Sequence, residues 1–162
     1  MIDLHCHILP GLDDGPKTLD ESVAMCRQAA AGGVRAIVAT PHYRYPGVDN
    51  TAEKILGKIK QLKMTLENKK ISVDIFPGNE VHMLKGLDLI EEVDRGQALT
   101  INCNGKYILL ELPNHSLSSY VFNTIERLKQ RGITSAIAHP ERNFAIQKDK
   151  RLMRYLIKRG AL

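Results

Sequence analysis

Residues 32–42 read Gly32-Gly33-Val34-Arg35-Ala36-Ile37-Val38-Ala39-Thr40-Pro41-His42. The paired glycines end whatever helix precedes them, since glycine tolerates the backbone conformation that closes a helix. From Val34 to Ala39 the chain is almost unbroken in apolar side chains, as in a strand covered on both faces. Pro41 has no N–H to give a sheet and marks the strand's end. A histidine stands immediately beyond it. Helix end, doubly covered strand, stop and polar side chain together describe one βα repeat.

The same pattern extends outward. Upstream, Ile2 to Leu4 is a short opening strand, and Thr18-Leu-Asp-Glu21 is a capping box that starts a helix running to Ala31. Downstream, Thr51 to about Lys69 carries Ile55, Ile59, Leu62 and Leu66 on one helical stripe. Ile71 to Phe76 alternates as a strand and is closed by Pro77-Gly78, and a short helix covers Leu87 to Val93. Tyr107 to Leu112 is a strand ending at Pro113, Ser116 to Arg131 a helix closed by Gly132, and Ile133 to Ala138 a strand stopped by Pro140. A last helix is expected from about Lys148 to Arg159, and Ala161-Leu162 reads as the first step of a further strand. Alternating strands and helices imply βαβ units and a parallel sheet, hence an α/β fold. About five βα units are present, whereas a closed barrel of this kind needs seven or eight strands. The expectation is one domain over residues 1–162 that lacks its C-terminal βα units. The resulting open sheet edge favours oligomerisation.

Composition narrows the function. The chain has 162 residues, enough for one ordinary core, with 43% hydrophobic and 25% charged side chains. Aromatic residues make up only 5% and there is no Trp, which argues against a base-stacking nucleic-acid platform. The net charge of +5 comes from scattered positions such as Lys54, Lys58, Lys63, Arg127 and Arg131, the solvated faces of amphipathic helices, so no nucleic-acid partner is expected. No apolar run is long enough for a membrane span, and Met1 to His7 lacks the character of a secretory signal; a cytoplasmic protein is expected. Cys6, Cys26 and Cys103 fit neither a disulfide framework nor a paired zinc spacing. Cysteine phosphatases need an arginine six positions after the nucleophile, and Leu12, Gly32 and Leu109 stand there instead.

The ligand-type residues share one placement. His5, His7, His42, His82, His115 and His139 all fall at or just beyond the C-terminal end of an expected strand, joined by Asp14, Glu80 and Glu111. In a parallel α/β fold those ends form the face where distant residues converge. Taken singly, each has a plainer explanation. Thr40-Pro-His42 and His139-Pro-Glu-Arg142 could simply be polar strand ends, and His82 and His115 could be a substrate lip or plain surface. Asp13 is expected to face away from the site of Asp14. Glu111, among Leu109, Leu110 and Leu112, is costly to bury unless paired or coordinated. Collectively the His/Asp/Glu set suits Mn, Fe or Zn in a multinuclear hydrolytic centre.

Five segments carry a resemblance: Asp3-Leu-His-Cys-His-Ile-Leu-Pro-Gly-Leu-Asp-Asp-Gly15, Thr40-Pro-His42, Gly78-Asn-Glu80, Leu110-Glu-Leu-Pro113 and His139-Pro-Glu-Arg-Asn143. Together they resemble the metal-dependent protein-tyrosine phosphatases of Gram-positive capsule and exopolysaccharide operons, in the polymerase-and-histidinol-phosphatase (PHP) superfamily. The resemblance implies an incomplete (β/α)7 TIM-like barrel of PHP type and up to three divalent ions, usually Mn2+. It assigns His5, His7 and Glu80 to a first ion, Asp14 and His42 to a second, and Glu80, Glu111 and His139 to a third. Arg142 would bind phosphoryl oxygens. The implied reaction is direct attack of an activated water on phosphorus, with no phosphoenzyme. The implied substrate is the phosphotyrosine tail of a cognate bacterial tyrosine autokinase that regulates polysaccharide synthesis. Two alternatives remain open: a PHP phosphatase for small monoesters of histidinol-phosphate type, and an inactive metal-binding fragment. The family's Asp-x-His pair, which completes the first two ion sites, has no counterpart in these residues.

Overall fold

The computed structural model describes residues 1–44, 47–84 and 86–162. Along the chain run β1 (Ile2–Cys6), α1 (Leu19–Ala31), β2 (Ala36–Ala39), β3 (His42–Tyr43), α2 (Ala52–Asn68), β4 (Asp74–Pro77) and β5 (Glu80–His82). Then come α3 (Leu89–Asp94), β6 (Tyr107–Glu111), α4 (Ser119–Gln130), β7 (Thr134–Ala138), α5 (Phe144–Lys148) and α6 (Arg151–Lys158). The capping box forms as expected. The Thr18 hydroxyl accepts from the Glu21 N–H, and the Glu21 carboxylate accepts from the Thr18 N–H.

Every strand pairing is parallel, so the fold is α/β. β1 pairs with β2 and β2 with β4, while β3, β5, β6 and β7 follow one another in a second sheet. The register carries through the division: Ala39 faces Pro77 and, three residues on, His42 faces Glu80. β2–β3 and β4–β5 are therefore two strands, each broken once, at Thr40-Pro41 and at Gly78-Asn79. Proline explains the first break, because it cannot donate to the ladder. At the second, close approach demands glycine, since a Cβ on Gly78 would lie 2.9 Å from Val38 Cγ1. Buried side chains take up the freed backbone groups: Thr40 Oγ1 accepts from Cys6 N at 3.0 Å, and Asn79 Oδ1 accepts from Leu99 N at 2.7 Å.

The helices pack against the strands in two apolar clusters. Val23, Cys26, Ile55 and Leu62 of α1 and α2 pack on Ile37 and Ile75. Val121, Ile125 and Leu128 of α4, with Leu156 of α6, pack on Val81, Ile108 and Leu110. Fully burying each such side chain stabilises the fold by about 1.5–3 kcal/mol. Ala161 and Leu162 do pair beside β7: Leu162 N donates to Ser135 O, and Ile137 N to Leu162 O, both at 2.9 Å. At the other end β1 has a strand neighbour on one side only among the described residues, and its Ile2 and Leu4 are exposed.

Several boundaries differ from those read in the sequence. β4 begins at Asp74, not Ile71, because the chain leaving α2 spends Ile71 and Val73 on turn bonds to Leu66 O and Ile71 O. α4 starts at Ser119 because Ser118 has extended backbone. The last expected helix corresponds to α6 and starts only at Arg151, and the short α5 before it, closed by the extended backbone of Asp149, has no counterpart in the sequence reading. No helix among the described residues is long and apolar enough to cross a membrane.

Candidate metal centre

The C-terminal strand ends bring all eight expected site residues to one cleft of about 640 Å³: His5, His7, Asp14, His42, Glu80, Glu111, His139 and Arg142, with Asn114 beside them. His5, His42, Glu80 and Glu111 lie in strands, and His7 and His139 just past them. Cross-strand register does part of the assembly, since His42 faces Glu80 and His82 faces Glu111.

Glu80 is the hub. Its side chain is 1% exposed, and four imidazoles reach it: His5 Nε2 at 3.2 Å, His7 Nε2 at 3.0 Å, His42 Nδ1 at 3.2 Å and His139 Nε2 at 2.8 Å. Burial alone would raise the Glu80 pKa. Hydrogen bonds from His5 and His7 and the charges of His5 and His42 outweigh it and hold the carboxyl far below its ordinary range. His7 mirrors this. Burial would lower its pKa, but bonds to Asp13 and Glu80 push it up to about 10.

The donor set fits divalent ions. His5 Nε2 and His7 Nε2 stand 3.4 Å apart. Two imidazole nitrogens bound to one tetrahedral ion at about 2.1 Å would be separated by about 3.4 Å. Three groups each bring three ligand atoms within 4.8 Å of one another: His5, His7 and Glu80; His7, Asp14 and His42; His42, Glu80 and Glu111. The first reproduces the set implied by resemblance. In the third His42 replaces His139, whose Nε2 lies 2.8 Å from Glu80 and 3.9 Å from Glu111. Imidazole nitrogen mixed with carboxylate oxygen suits Mn, Fe or Zn.

The loops bearing these groups are pinned by buried polar residues. Asn50 donates to the carbonyls of Leu12 and His42 at 3.0 and 2.9 Å, fixing the loop of Asp14 to β3. Asn143 donates to Pro113 O at 2.6 Å and accepts from Ile146 N at 2.9 Å, tying the loop of His139 and Arg142 to that after β6. His139 has φ 27°, in the left-handed region that non-glycine residues avoid. Strain of this kind persists only where the surroundings hold it. Arg142 is exposed and makes no ion pair among the described residues, leaving its fork open to the cleft.

Two placements correct the sequence reading. Asp13 does not face away: its side chain is 1% exposed and bonds His7 Nδ1 at 2.8 Å. His82 is not an outer lip but sits in β5 with Nδ1 2.6 Å from Glu111 Oε2. His115, in line with the surface reading, is exposed and stacks on Phe144 at 5.2 Å. Asn50 and Asn114 carried no signal in the sequence beyond their neighbouring turns. The thiols are disfavoured as thiolates: burial pushes Cys6 up to about 12 and Cys26 to about 11, and raises Cys103, which lines no part of this cleft.

Comparison with known proteins follows this geometry. The family model for capsular polysaccharide synthesis, CpsB/CapC, matches residues 1–162. A Staphylococcus aureus protein named CapC is 36% identical over 162 residues, and the tyrosine-protein phosphatase YwqE of Bacillus subtilis is 34% identical over 161. The chain spans 62% of the length of each. A crystal structure from work on YwqE of Bacillus subtilis and CpsB of Streptococcus pneumoniae, described as metal-dependent tyrosine phosphatases, superposes with a TM-score of 0.94. That match covers 99% of this chain and 64% of the other, at 34% identity.

Proposed function

The chain belongs to the CpsB/CapC family of capsular polysaccharide synthesis, and on that premise we propose that its cleft is the site of a manganese-dependent phosphotyrosine-protein phosphatase. The observation that carries the reading is the surround of Glu80, a buried carboxylate within 3.2 Å of four imidazole nitrogens, with an arginine on the same cleft that makes no ion pair among the described residues. The substrate is phosphotyrosine on the tail of a cognate bacterial tyrosine autokinase in the cytoplasm. The consequence is control of capsule or exopolysaccharide synthesis.

His5, His7 and Glu80 would hold one ion, Asp14 and His42 a second, and Glu80, Glu111 and His139 a third. Divalent ions bound there supply Lewis-acid neutralisation of the phosphoryl charge and make water at the centre more acidic. The chain's own residues do the rest. Glu80, buried and kept ionised, gives the centre its permanent negative charge. Arg142 grips two phosphoryl oxygens through its planar fork and orients phosphorus towards the centre. The tyrosyl oxygen leaves as a phenolate of ordinary pKa about 10, a leaving group that needs little protonation. No cysteine takes part, in keeping with the raised thiol pKa values.

The finer fold reading is a (β/α)7 barrel wall of PHP type within one domain, supported by parallel strands that neighbour one another in chain order. Phosphate release from a phosphotyrosyl peptide and from histidinol phosphate, each with Mn2+ and with EDTA, tests the function. Mn2+-dependent preference for the peptide is expected. Preference for histidinol phosphate, or equal turnover in EDTA, would overturn it.

A further inference from the structure

The loop from Ile8 to Gly15 follows directly on His7, and of its two carboxylates Asp13 is the buried one. The Asp13 side chain is 1% exposed, in the range where a carboxylate survives only with its lone pairs satisfied. It accepts three hydrogen bonds: His7 Nδ1 at 2.8 Å and His42 N at 2.9 Å on Oδ2, and Gly15 N at 3.0 Å on Oδ1. Gly15 is packed so closely that an added Cβ would lie 2.4 Å from His7 O, so the loop has no freedom to retract. Two of the partners are backbone N–H groups, fixed donors. The third, His7, also aims Nε2 at Glu80 Oε2, 3.0 Å away.

We infer that Asp13 is the positioning residue of the centre: its buried carboxylate fixes His7 with a proton on Nδ1 and Nε2 free to bind an ion, and it anchors the backbone of His42. The inference rests on the metal-centre reading above and adds a residue that supplies no ligand atom itself. Imidazole ligands are commonly held this way, with the non-ligating nitrogen donating to a carboxylate that sets tautomer and ring orientation. Asp14 Oδ1 also comes within 3.2 Å of His7 Nδ1, but that side chain is 78% exposed and lies 3.9 Å from His42 Nε2 as well. The shorter and buried partner is Asp13.

The carboxylate cannot be replaced by its amide. All three partners are donors, and an Asn side chain accepts through one atom only. Asp13→Asn must set its NH2 against Gly15 N–H, or against His42 N–H and a His7 forced to move its proton to Nε2. The second arrangement blocks the ligand atom.

Two measurements test this. In wild-type protein loaded with Zn2+, long-range 1H–15N correlation spectra of the imidazoles should show His7 protonated on Nδ1 and bound through Nε2. In Asp13→Asn, Mn2+ affinity by calorimetry should fall about 10- to 100-fold, the usual effect of removing such a partner, with circular dichroism unchanged. His7 bound through Nδ1 in the wild type overturns the proposal, whether or not the variant folds. So does a folded variant with wild-type affinity. Failure of the wild type to take up either ion overturns the metal-centre reading, and this proposal with it.

Discussion

His139 Nε2 lies 2.8 Å from Glu80 Oε1, although 59 residues separate the two in the chain. The contact closes a ring of imidazoles around a single buried carboxylate, and Glu80 belongs to two of the three candidate ligand groups. Removing its charge therefore weakens more than one position at once. Glu80→Gln keeps the volume but should lower Mn2+ affinity by more than about 100-fold, since a shared anionic ligand is lost. Calorimetric titration checks this, and affinity within threefold of wild type would remove Glu80 from the centre.

Without metal, the centre should make stability fall as pH rises. His7 is pushed up to about 10 from an ordinary 6.5. A raised histidine pKa contributes stability that is complete below about pH 6.5 and lost as pH climbs through about 10. Glu80, held low, is ionised throughout this range and adds no slope. The informative window is pH 6.5 to 8.5, below the region where unfolded thiols ionise and the buried ones at Cys6 and Cys26 resist. Melting temperature in EDTA should decline across that window. Saturating Mn2+ should reverse the trend, because the ion competes with protons for the imidazoles. A melting temperature in EDTA that is flat or rises contradicts the assigned charge state of His7.

Much of this centre was legible in the sequence because it depends on strand ends. The run from Val34 to Ala39 and the stop at Pro41 place His42, and the Phe76-Pro77-Gly78 turn places Glu80, without knowledge of any contact. The interruptions that create β3 and β5 were not legible. A strand of two or three residues shows no periodicity, and the match of His42 with Glu80 is a property of register. His82 was misjudged for the same reason, since only the pairing of β5 with β6 sets it against Glu111. Asp13 and Asp14 are adjacent and chemically identical. Only the fold of the loop beneath β3 decides that one is buried and the other exposed. Short-range pattern likewise missed α5, whose five residues depend on the Asn143 cap.

Arg142 offers a separation of binding from assembly. Among the described residues it makes no ion pair, so its removal should cost the fold little. Arg142→Ala should leave melting temperature and Mn2+ content unchanged while lowering kcat about 100- to 1,000-fold, the usual effect of deleting a donor to developing charge. Arg142→Lys should recover little, because a point charge lacks the planar fork. A sharp drop in melting temperature with normal turnover of the folded fraction would make Arg142 structural instead.

The count of bound ions follows from how the ligand groups overlap. The group of His5, His7 and Glu80 shares His7 with the group of His7, Asp14 and His42, and the latter shares His42 with that of His42, Glu80 and Glu111. A neutral imidazole binds one ion through one nitrogen, and His7 Nδ1 is already engaged by Asp13. A carboxylate differs: its two oxygens can face separate ions, and both Glu80 oxygens have imidazoles within 3.2 Å. The proposed positions at His5, His7 and Glu80 and at Glu80, Glu111 and His139 can therefore fill together across Glu80, whereas the position of Asp14 and His42 has only two protein ligands, one of them 78% exposed. With His7 committed to the first position, so few ligands should make any ion there weak and readily exchanged. Elemental analysis after dialysis against buffered Mn2+ should give about two ions per 162-residue chain, with any third lost on brief exposure to a mild chelator. Asp14→Asn should leave the two retained ions in place, because Asp14 belongs to neither filled group. Three ions surviving the chelator would mean that the position of Asp14 and His42 is held by more than those two residues, against this ordering of the sites.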